Sequence, residues 1–147
     1  MKPGKPTLLD LNVLIALAWP SHIHHSKAHK WFASAQKRGW ATCPITQSGF
    51  VRLSSNPKIL SEAVSPIEAL HLLEQITRLP NHLFWADSIA LTDSVIFKDA
   101  NIIGYRQITD ACLLSLAIHN NGCLVSFDKG IATLVTTLYG EHLNILG

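Results

Sequence analysis

The first apolar stretch of the chain, residues 8–17 (LLDLNVLIAL), is interrupted by two polar side chains, Asp10 and Asn12. A short buried strand over Thr7–Leu9 and a helix over residues 13–19, which Pro20 ends, explain this pattern. Asp10 then lies at the carboxyl end of a strand, where open parallel sheets bind their ligands. A carboxylate among so many leucines requires a partner, because its burial alone is costly. Capping of the following helix is the simpler interpretation, since Asp is common at that position.

The rest of the chain alternates between helical and strand patterns. Residues 25–38 place apolar side chains at helical spacing, and Gly39 ends that helix. Ser65, followed by Pro66 and then Glu68, is the clearest helix start. Because strands alternate with helices, we expect an α/β fold with a parallel sheet that is covered on both faces. The predicted strands are 7–9, 40–43, 82–86, 123–127 and 143–145, and the predicted helices are 13–19, 25–38, 46–53, 66–78, 91–99, 110–120 and 131–139.

Composition narrows the class of protein. With 147 residues, of which 48% are hydrophobic and 15% charged, the chain predicts one globular domain over residues 1–147, without repeats or linkers. The net charge of +2 is too small to indicate a partner. The three cysteines are far apart and lie among apolar residues, which favours free thiols in a reducing compartment. No stretch is long enough to span a membrane, and no secretory cleavage site follows the start, so a soluble cytoplasmic protein is expected.

Three of the ten acidic residues stand where chemistry is plausible. Asp10 and Asp128 both follow apolar strands at the turn toward the next helix, and Asp110 follows Thr109 in the first turn of a buried helix. If the two strands are neighbours, the three carboxylates converge at one sheet edge and repel each other unless a cation lies between them. Oxygen ligands suit Mg²⁺ or Mn²⁺, and such sites hydrolyse phosphodiesters. Taken singly, each residue is equally well explained as a helix cap or turn residue.

The histidines indicate a rival metal site. His25 and His29 share a helix face, with His22 and His24 just before them. That spacing is able to bind zinc, but no glutamate follows His25 as a zinc protease requires, and no cysteine is near. A solvated helix face is the favoured interpretation, and a place along an RNA groove is a further alternative.

Five motifs together resemble the PIN-domain nucleases, and in particular the VapC-type toxins of type II toxin–antitoxin systems. The resemblance extends from about Thr7 to the end of the chain, and the long central motif is the most specific. It implies a PIN-like three-layer α/β/α fold with a central, mostly parallel sheet of four or five strands. It also implies an endoribonuclease dependent on Mg²⁺ or Mn²⁺, paired with a cognate VapB-like antitoxin and usually a homodimer. The motifs are 8–15 (LLDLNVLI), 25–32 (HSKAHKWF), 43–52 (CPITQSGFVR), 104–117 (GYRQITDACLLSLA) and 126–130 (SFDKG).

The resemblance assigns roles to particular residues. Asp10, Asp110 and Asp128 are the expected catalytic and metal-binding carboxylates. Gln47 stands where the family usually has a glutamate, so we expect weaker metal binding, with Mn²⁺ more effective than Mg²⁺. The expected supporting residues are Asn12, Gln47, Thr109 and Ser126, and the expected contacts to RNA or antitoxin are Arg52 and Arg106.

Two other functions remain open at this stage. A PIN domain that has lost turnover with its glutamate would act as an RNA- or antitoxin-binding module. An aspartyl-phosphate phosphatase with Asp10 as nucleophile would use the same sheet edge. That enzyme usually has a second Asp two residues later, where this chain has Asn12.

Overall fold

The computed structural model describes residues 4–99, 102–135 and 138–147. Five short strands form one sheet in the order β3-β2-β1-β4-β5, and every pair of neighbours is parallel. β1 is therefore the central strand, and Leu9 near its end is in register with Val125 of β4. The α/β expectation of a parallel sheet with four or five strands is confirmed. The strands are β1 (Thr7–Leu9), β2 (Trp40–Thr42), β3 (His82–Phe84), β4 (Cys123–Ser126) and β5 (Leu143–Ile145).

Six α-helices are seen in the described residues, and they cover both faces of the sheet. On one face Leu9 and Val125 pack with Phe32, Phe50 and other apolar side chains of the first four helices. On the other face the apolar side of the last helix packs on Leu8 and the fifth helix adds its buried isoleucine. These two cores make three layers, as expected. The helices are α1 (Leu11–Ala18), α2 (His25–Ala35), α3 (Pro44–Ser54), α4 (Pro66–Thr77), α5 (Val95–Asp99) and α6 (Ile108–His119).

Local hydrogen bonds explain several helix ends. Ser65 accepts the backbone N–H of Glu68 at 3.2 Å, which confirms the predicted start of α4. After α2 the chain continues as a 3₁₀ helix over Gln36–Arg38, so only the first part of the predicted helix 25–38 is α-helical. Gly39 then adopts φ +92°, a conformation that side chains disfavour, and ends the helix as predicted.

Two predicted helices are wrong in extent or type. The predicted helix 91–99 is a 3₁₀ turn over Leu91–Asp93 followed by α5, because Ser94 is extended and its hydroxyl accepts the N–H of Ile96 to start a new helix. The predicted helix 131–139 is a 3₁₀ helix over Lys129–Leu134 that ends at an extended Val135. Residues 136 and 137 of that prediction lie outside the described residues. The other predicted elements are present with ends that shift by up to two residues, except that the α-helical part of the predicted helix 25–38 ends three residues early.

The three cysteines are free, as predicted, with Cys43 buried and Cys112 and Cys123 half-buried. Within the described ranges, none of the helices combines the length and apolar character that crossing a membrane requires.

Candidate active site

Six of the nine functional residues predicted from sequence meet at the carboxyl ends of β1 and β4, two neighbouring strands of the sheet. Asp10 follows β1 directly and Asp128 follows β4 after one intervening residue. The first turn of α6 brings Thr109 and Asp110 to the same place, beside a cleft of about 510 Å³. We call this cleft the acidic cleft. Its polar lining consists of Asp10, Asn12, His22, Thr109, Asp110 and Asp128.

Asp10 is buried, with 7% of its surface exposed, and both of its carboxylate oxygens accept hydrogen bonds. Oδ1 accepts the backbone N–H of Leu11 at 2.7 Å, and Oδ2 accepts the Ser126 hydroxyl at 2.7 Å. Burial raises the pKa of Asp10, and the two hydrogen bonds oppose that shift because they favour the charged form. Asp10 also caps α1, so the capping interpretation and a place in the cleft hold together.

Ser126 ties the two strand ends together. Its hydroxyl donates to Asp10 and accepts the side-chain amide of Asn12 at 3.1 Å and the backbone N–H of Asp128 at 3.0 Å. The Asn12 carbonyl oxygen in turn accepts the backbone N–H of Phe127 at 3.2 Å. Ser126 is fully buried, so these bonds fix the spacing between Asp10 and Asp128.

Asp110 has the most perturbed carboxyl group of the cleft. Its half-buried position and the negative charges of Asp10 and Asp128 raise its pKa from 3.8 to about 6. Burial is the larger cause, and the two charges add to it because like charges disfavour ionisation. Asp128 is exposed, and its carboxylate accepts the backbone N–H of Gly130 at 2.9 Å.

The carboxylates line one cleft, yet they do not chelate a common point. Within the parts of the chain that the structure describes, no three His, Cys, Asp or Glu side chains lie close enough to hold one metal ion. Local hydrogen bonds explain this separation, because Asp10 and Asp128 are each turned toward a neighbouring backbone N–H. The donor set is all oxygen and strongly negative, which fits Mg²⁺ or Mn²⁺ once the side chains of Asp110 and Asp128 turn toward Asp10.

Three predicted residues lie elsewhere. The Gln47 amide is half-buried and donates to Thr42 Oγ1 at 3.0 Å, and Gln47 is not among the described residues that line the cleft. Arg52 is exposed on the last turn of α3. Arg106 is also exposed, with its guanidinium 5.8 Å from the ring centre of Tyr105.

The paired histidines stabilise the end of a helix. His25 Nδ1 donates to the carbonyl of Ala16 at 2.7 Å, and His29 Nε2 donates to the carbonyl of Leu17 at 2.9 Å. Both carbonyls belong to the last turn of α1, which has no later N–H groups to bond. The expected solvated face is therefore a helix cap, and these two nitrogens are not free to bind zinc.

Sequence reasoning gave His22 no definite role, although its ring lines the acidic cleft. Its Nδ1 accepts the backbone N–H of His24 at 3.0 Å. The cluster of four histidines in residues 22–29 indicated a functional segment. Only the folded structure shows that His22 lines the cleft, whereas His25 and His29 cap α1.

Known proteins of similar sequence indicate the family of this chain. The model of the PIN domain family matches residues 7–135. Ribonuclease VapC38 from Mycobacterium tuberculosis is 47% identical over 127 residues, which cover 86% of this chain and 88% of the relative. Ribonuclease VapC44 from the same organism is 40% identical over 140 residues, which cover 95% and 98%.

A solved structure shares the fold at low sequence identity. The VapBC2 structure from Rickettsia felis, bound to a DNA fragment from its promoter, gives a TM-score of 0.59 at 15% identity. The match covers 97% of this chain and 99% of the other, and it supports the fold alone. The family match over most of the chain and the relatives above 40% identity together show that this chain belongs to the PIN-domain family.

Proposed function

We propose that this protein is an endoribonuclease toxin of the VapC kind, which hydrolyses RNA phosphodiester bonds with Mg²⁺ or Mn²⁺ and is inhibited by a cognate antitoxin. The similarity to ribonucleases VapC38 and VapC44 supports the activity. The likeness to a VapBC structure is consistent with an antitoxin partner.

The convergence of Asp10, Asp110 and Asp128 on one cleft is the observation that carries the proposal, and burial together with their charges raises the pKa of Asp110 to about 6. Carboxylates that lie close together repel each other when they are ionised. A cation bound between them would remove this repulsion and would then be the largest charge in the cleft. Perturbed carboxyl groups in a cleft are typical of functional sites. A divalent cation bound there would activate water and stabilise the charge that develops on the phosphate.

The chain's own residues hold the carboxylates in place. The Ser126 hydroxyl donates to Asp10 and so orients its carboxylate. The Asn12 side chain accepts the backbone N–H of Phe127, the residue directly before Asp128. Thr109 is exposed in the cleft beside Asp110, where its hydroxyl is available to RNA or to water. We keep Arg52 and Arg106 as proposed contacts to RNA phosphate or to an acidic segment of the antitoxin, since both are exposed and both lie outside the cleft.

Gln47 favours a second candidate function. Its amide is bonded to Thr42 and adds no charge to the acidic cleft. With three carboxylates in place of four, the cleft binds metal more weakly and turnover falls. In the limit, the protein is a PIN domain that binds RNA or an antitoxin without cleaving.

Cleavage of a total RNA pool separates the two functions. The purified protein is incubated with EDTA, Mg²⁺ or Mn²⁺, beside an Asp10→Asn variant that keeps an acceptor for the helix cap. Asp93→Asn is the matched control, because Asp93 is exposed and lies outside the acidic cleft. We expect metal-dependent cuts, stronger with Mn²⁺, that disappear only in Asp10→Asn. RNA binding without cleavage under every metal would establish the binding module instead.

A homodimer is part of the proposal. Leu91, Val95 and Ile103 expose 44%, 37% and 83% of their surfaces, and they flank α5 on the side of the molecule away from the first four helices. A contiguous exposed apolar patch is typical of a subunit interface, and we infer that these residues form part of one. Light scattering of the purified protein tests this, and Ile103→Glu should shift the mass toward that of a monomer.

A further inference from the structure

The acidic cleft has an apolar part that the carboxylates do not explain. Leu11, Ile15, Leu53 and Leu60 line it, and Ile59 presents an exposed side chain to it, with 61% of its surface accessible. Among the described residues that line the cleft, none is a lysine or arginine. Without a cationic side chain among these described lining residues, the carboxylates would reach the phosphate of a nucleotide only through a bound metal ion, so the apolar part must contact an uncharged group. The nucleobase is the flat, uncharged part of a nucleotide, and it is able to pack on the leucine and isoleucine side chains of this wall.

His22 lines the same cleft and has one hydrogen-bond donor to offer. Its Nδ1 accepts the His24 N–H, so the proton of the neutral ring is on Nε2. Burial lowers the pKa of His22, and the neighbouring His24 and His25 lower it further, so the ring is neutral at pH 7. A neutral imidazole with a fixed tautomer acts as a directional donor.

The segment that carries His22 is attached to the acidic part of the cleft. The His24 ring stacks on the Phe127 ring, with centroids 4.4 Å apart and planes 14° apart. Phe127 lies between Ser126 and Asp128, so this stack joins the histidine turn to the strand end that carries a carboxylate. The backbone of His22 adds bonds to Trp19 and His25, at 3.0 Å each. His22 is thereby held at a set distance from the carboxylates.

We propose that the apolar part of the acidic cleft binds one unpaired nucleobase beside the scissile phosphate, and that His22 Nε2–H donates a hydrogen bond to that base. This inference rests on the proposed function and adds to it a residue, His22, that contacts the base beside the cut. Paired A-form RNA cannot present a single base in this way, whereas loops and single strands can.

Two matched oligoribonucleotides test the inference under single-turnover conditions with Mn²⁺. One contains a mapped cleavage site, and the other has an abasic ribose at the nucleotide beside the cut. We expect the abasic change to lower kcat/KM of the wild-type protein by about 10- to 100-fold, because both the hydrogen bond to His22 and the packing of the base on the aliphatic wall are lost. His22→Phe keeps the ring without the donor and should lower kcat/KM on intact RNA by about 3- to 10-fold, mainly through KM.

The result that identifies the contact is that the losses in kcat/KM from His22→Phe and from the abasic change do not add. His22→Phe should cause no further loss on the abasic RNA, because the group that it contacts is already gone. His22→Gln, which keeps a donor near the same position, should recover part of the loss on intact RNA. Ile59→Ala, at an exposed position with little risk to folding, should show the same non-additive pattern. His71→Phe on α4 is the control outside the cleft and should leave both rates unchanged.

Failure of this inference and failure of the proposed function give different results. A wild-type protein that cleaves intact and abasic RNA equally well would overturn the nucleobase site and leave the ribonuclease intact. Equal losses on both RNAs in His22→Phe would also overturn it, because the histidine would then act on folding or on the phosphate. A wild-type protein that cleaves neither RNA with any metal would overturn the proposed function, and this inference with it.

Discussion

Replacing Asp110 with asparagine should stabilise the metal-free protein at neutral pH, although it removes a side chain of the proposed active site. The folded protein raises the pKa of Asp110 from 3.8 to about 6, so it binds this proton more tightly than the unfolded chain does. The free energy of unfolding therefore falls as the pH rises between these two values. Above about pH 6 the cost of ionising Asp110 is fully present. Asparagine is uncharged at every pH and does not carry this cost.

The size of the effect follows from the shift. A difference of about two pKa units corresponds to about 3 kcal/mol at about 1.4 kcal/mol per unit. Asp110 is only half-buried, and solvent screens its interaction with Asp10 and Asp128, so we expect about 1–2 kcal/mol. At pH 4 the wild-type carboxyl is largely protonated in the folded state, and the two proteins should differ by a few tenths of a kcal/mol at most.

Urea unfolding in EDTA at pH 4 and pH 7.5 measures this difference. Asp93→Asn is the control, because Asp93 is exposed and does not line the acidic cleft. Mn²⁺ should then stabilise the wild-type protein more than Asp110→Asn, since the variant has lost one ligand. If Asp110→Asn is no more stable than the wild type at pH 7.5, or if its advantage is the same at pH 4, then burial and the neighbouring charges do not raise the pKa of Asp110 in the folded protein.

Three further predictions concern the surroundings of the cleft. Gln47→Glu should strengthen Mn²⁺ binding, because it removes the amide that donates to Thr42 and adds a carboxylate that would turn toward the acidic cleft. Calorimetry against Gln75→Glu on the exposed face of α4 tests this, and unchanged or weaker affinity would contradict it. Ser126→Ala should cost about 1–3 kcal/mol in urea unfolding, because a buried hydroxyl that bonds Asp10 is lost; an unchanged midpoint would show that the bond is dispensable. His25→Ala should cost about 1 kcal/mol by uncapping α1, whereas Lys30→Ala should cost little, and equal effects would refute the cap.

The fold was predictable because its signals are local. Short apolar segments that alternate with segments of helical spacing indicate a parallel sheet. Acidic residues directly after two of those segments lie at the same edge of the sheet when the two strands are neighbours. Asp10 and Asp128 come together because β1 and β4 are neighbours, which the sequence allowed but did not determine. The predicted helix over residues 131–139 was wrong, because the chain forms a 3₁₀ helix over Lys129–Leu134 and becomes extended at Val135. The apolar pattern of the sequence does not distinguish this from an α-helix.

The details of the cleft depend on side-chain contacts that the sequence pattern does not show, some of them between residues far apart in the chain. The pattern of residues 43–52 suggested that Gln47 faces the metal, but its amide is bonded to Thr42 on β2, five residues before it. His22 was missed for a related reason. The His24 N–H sets the tautomer of His22. The place of His22 in the cleft depends on the stacking of His24 on Phe127, which lies more than 100 residues later in the sequence.

The acidic cleft stabilises its carboxylates with neutral donors and not with cations. Asp10 is bonded to the Ser126 hydroxyl and to the Leu11 N–H, and Asp128 to the Gly130 N–H. Such charge-assisted bonds orient a carboxylate and favour its ionised form, but they leave its net charge in place. RNA phosphate is an anion and is repelled by that charge. A bound cation would therefore be the condition under which this cleft attracts RNA. It would remove the repulsion from Asp10 and Asp128, which adds to the larger effect of burial in raising the pKa of Asp110.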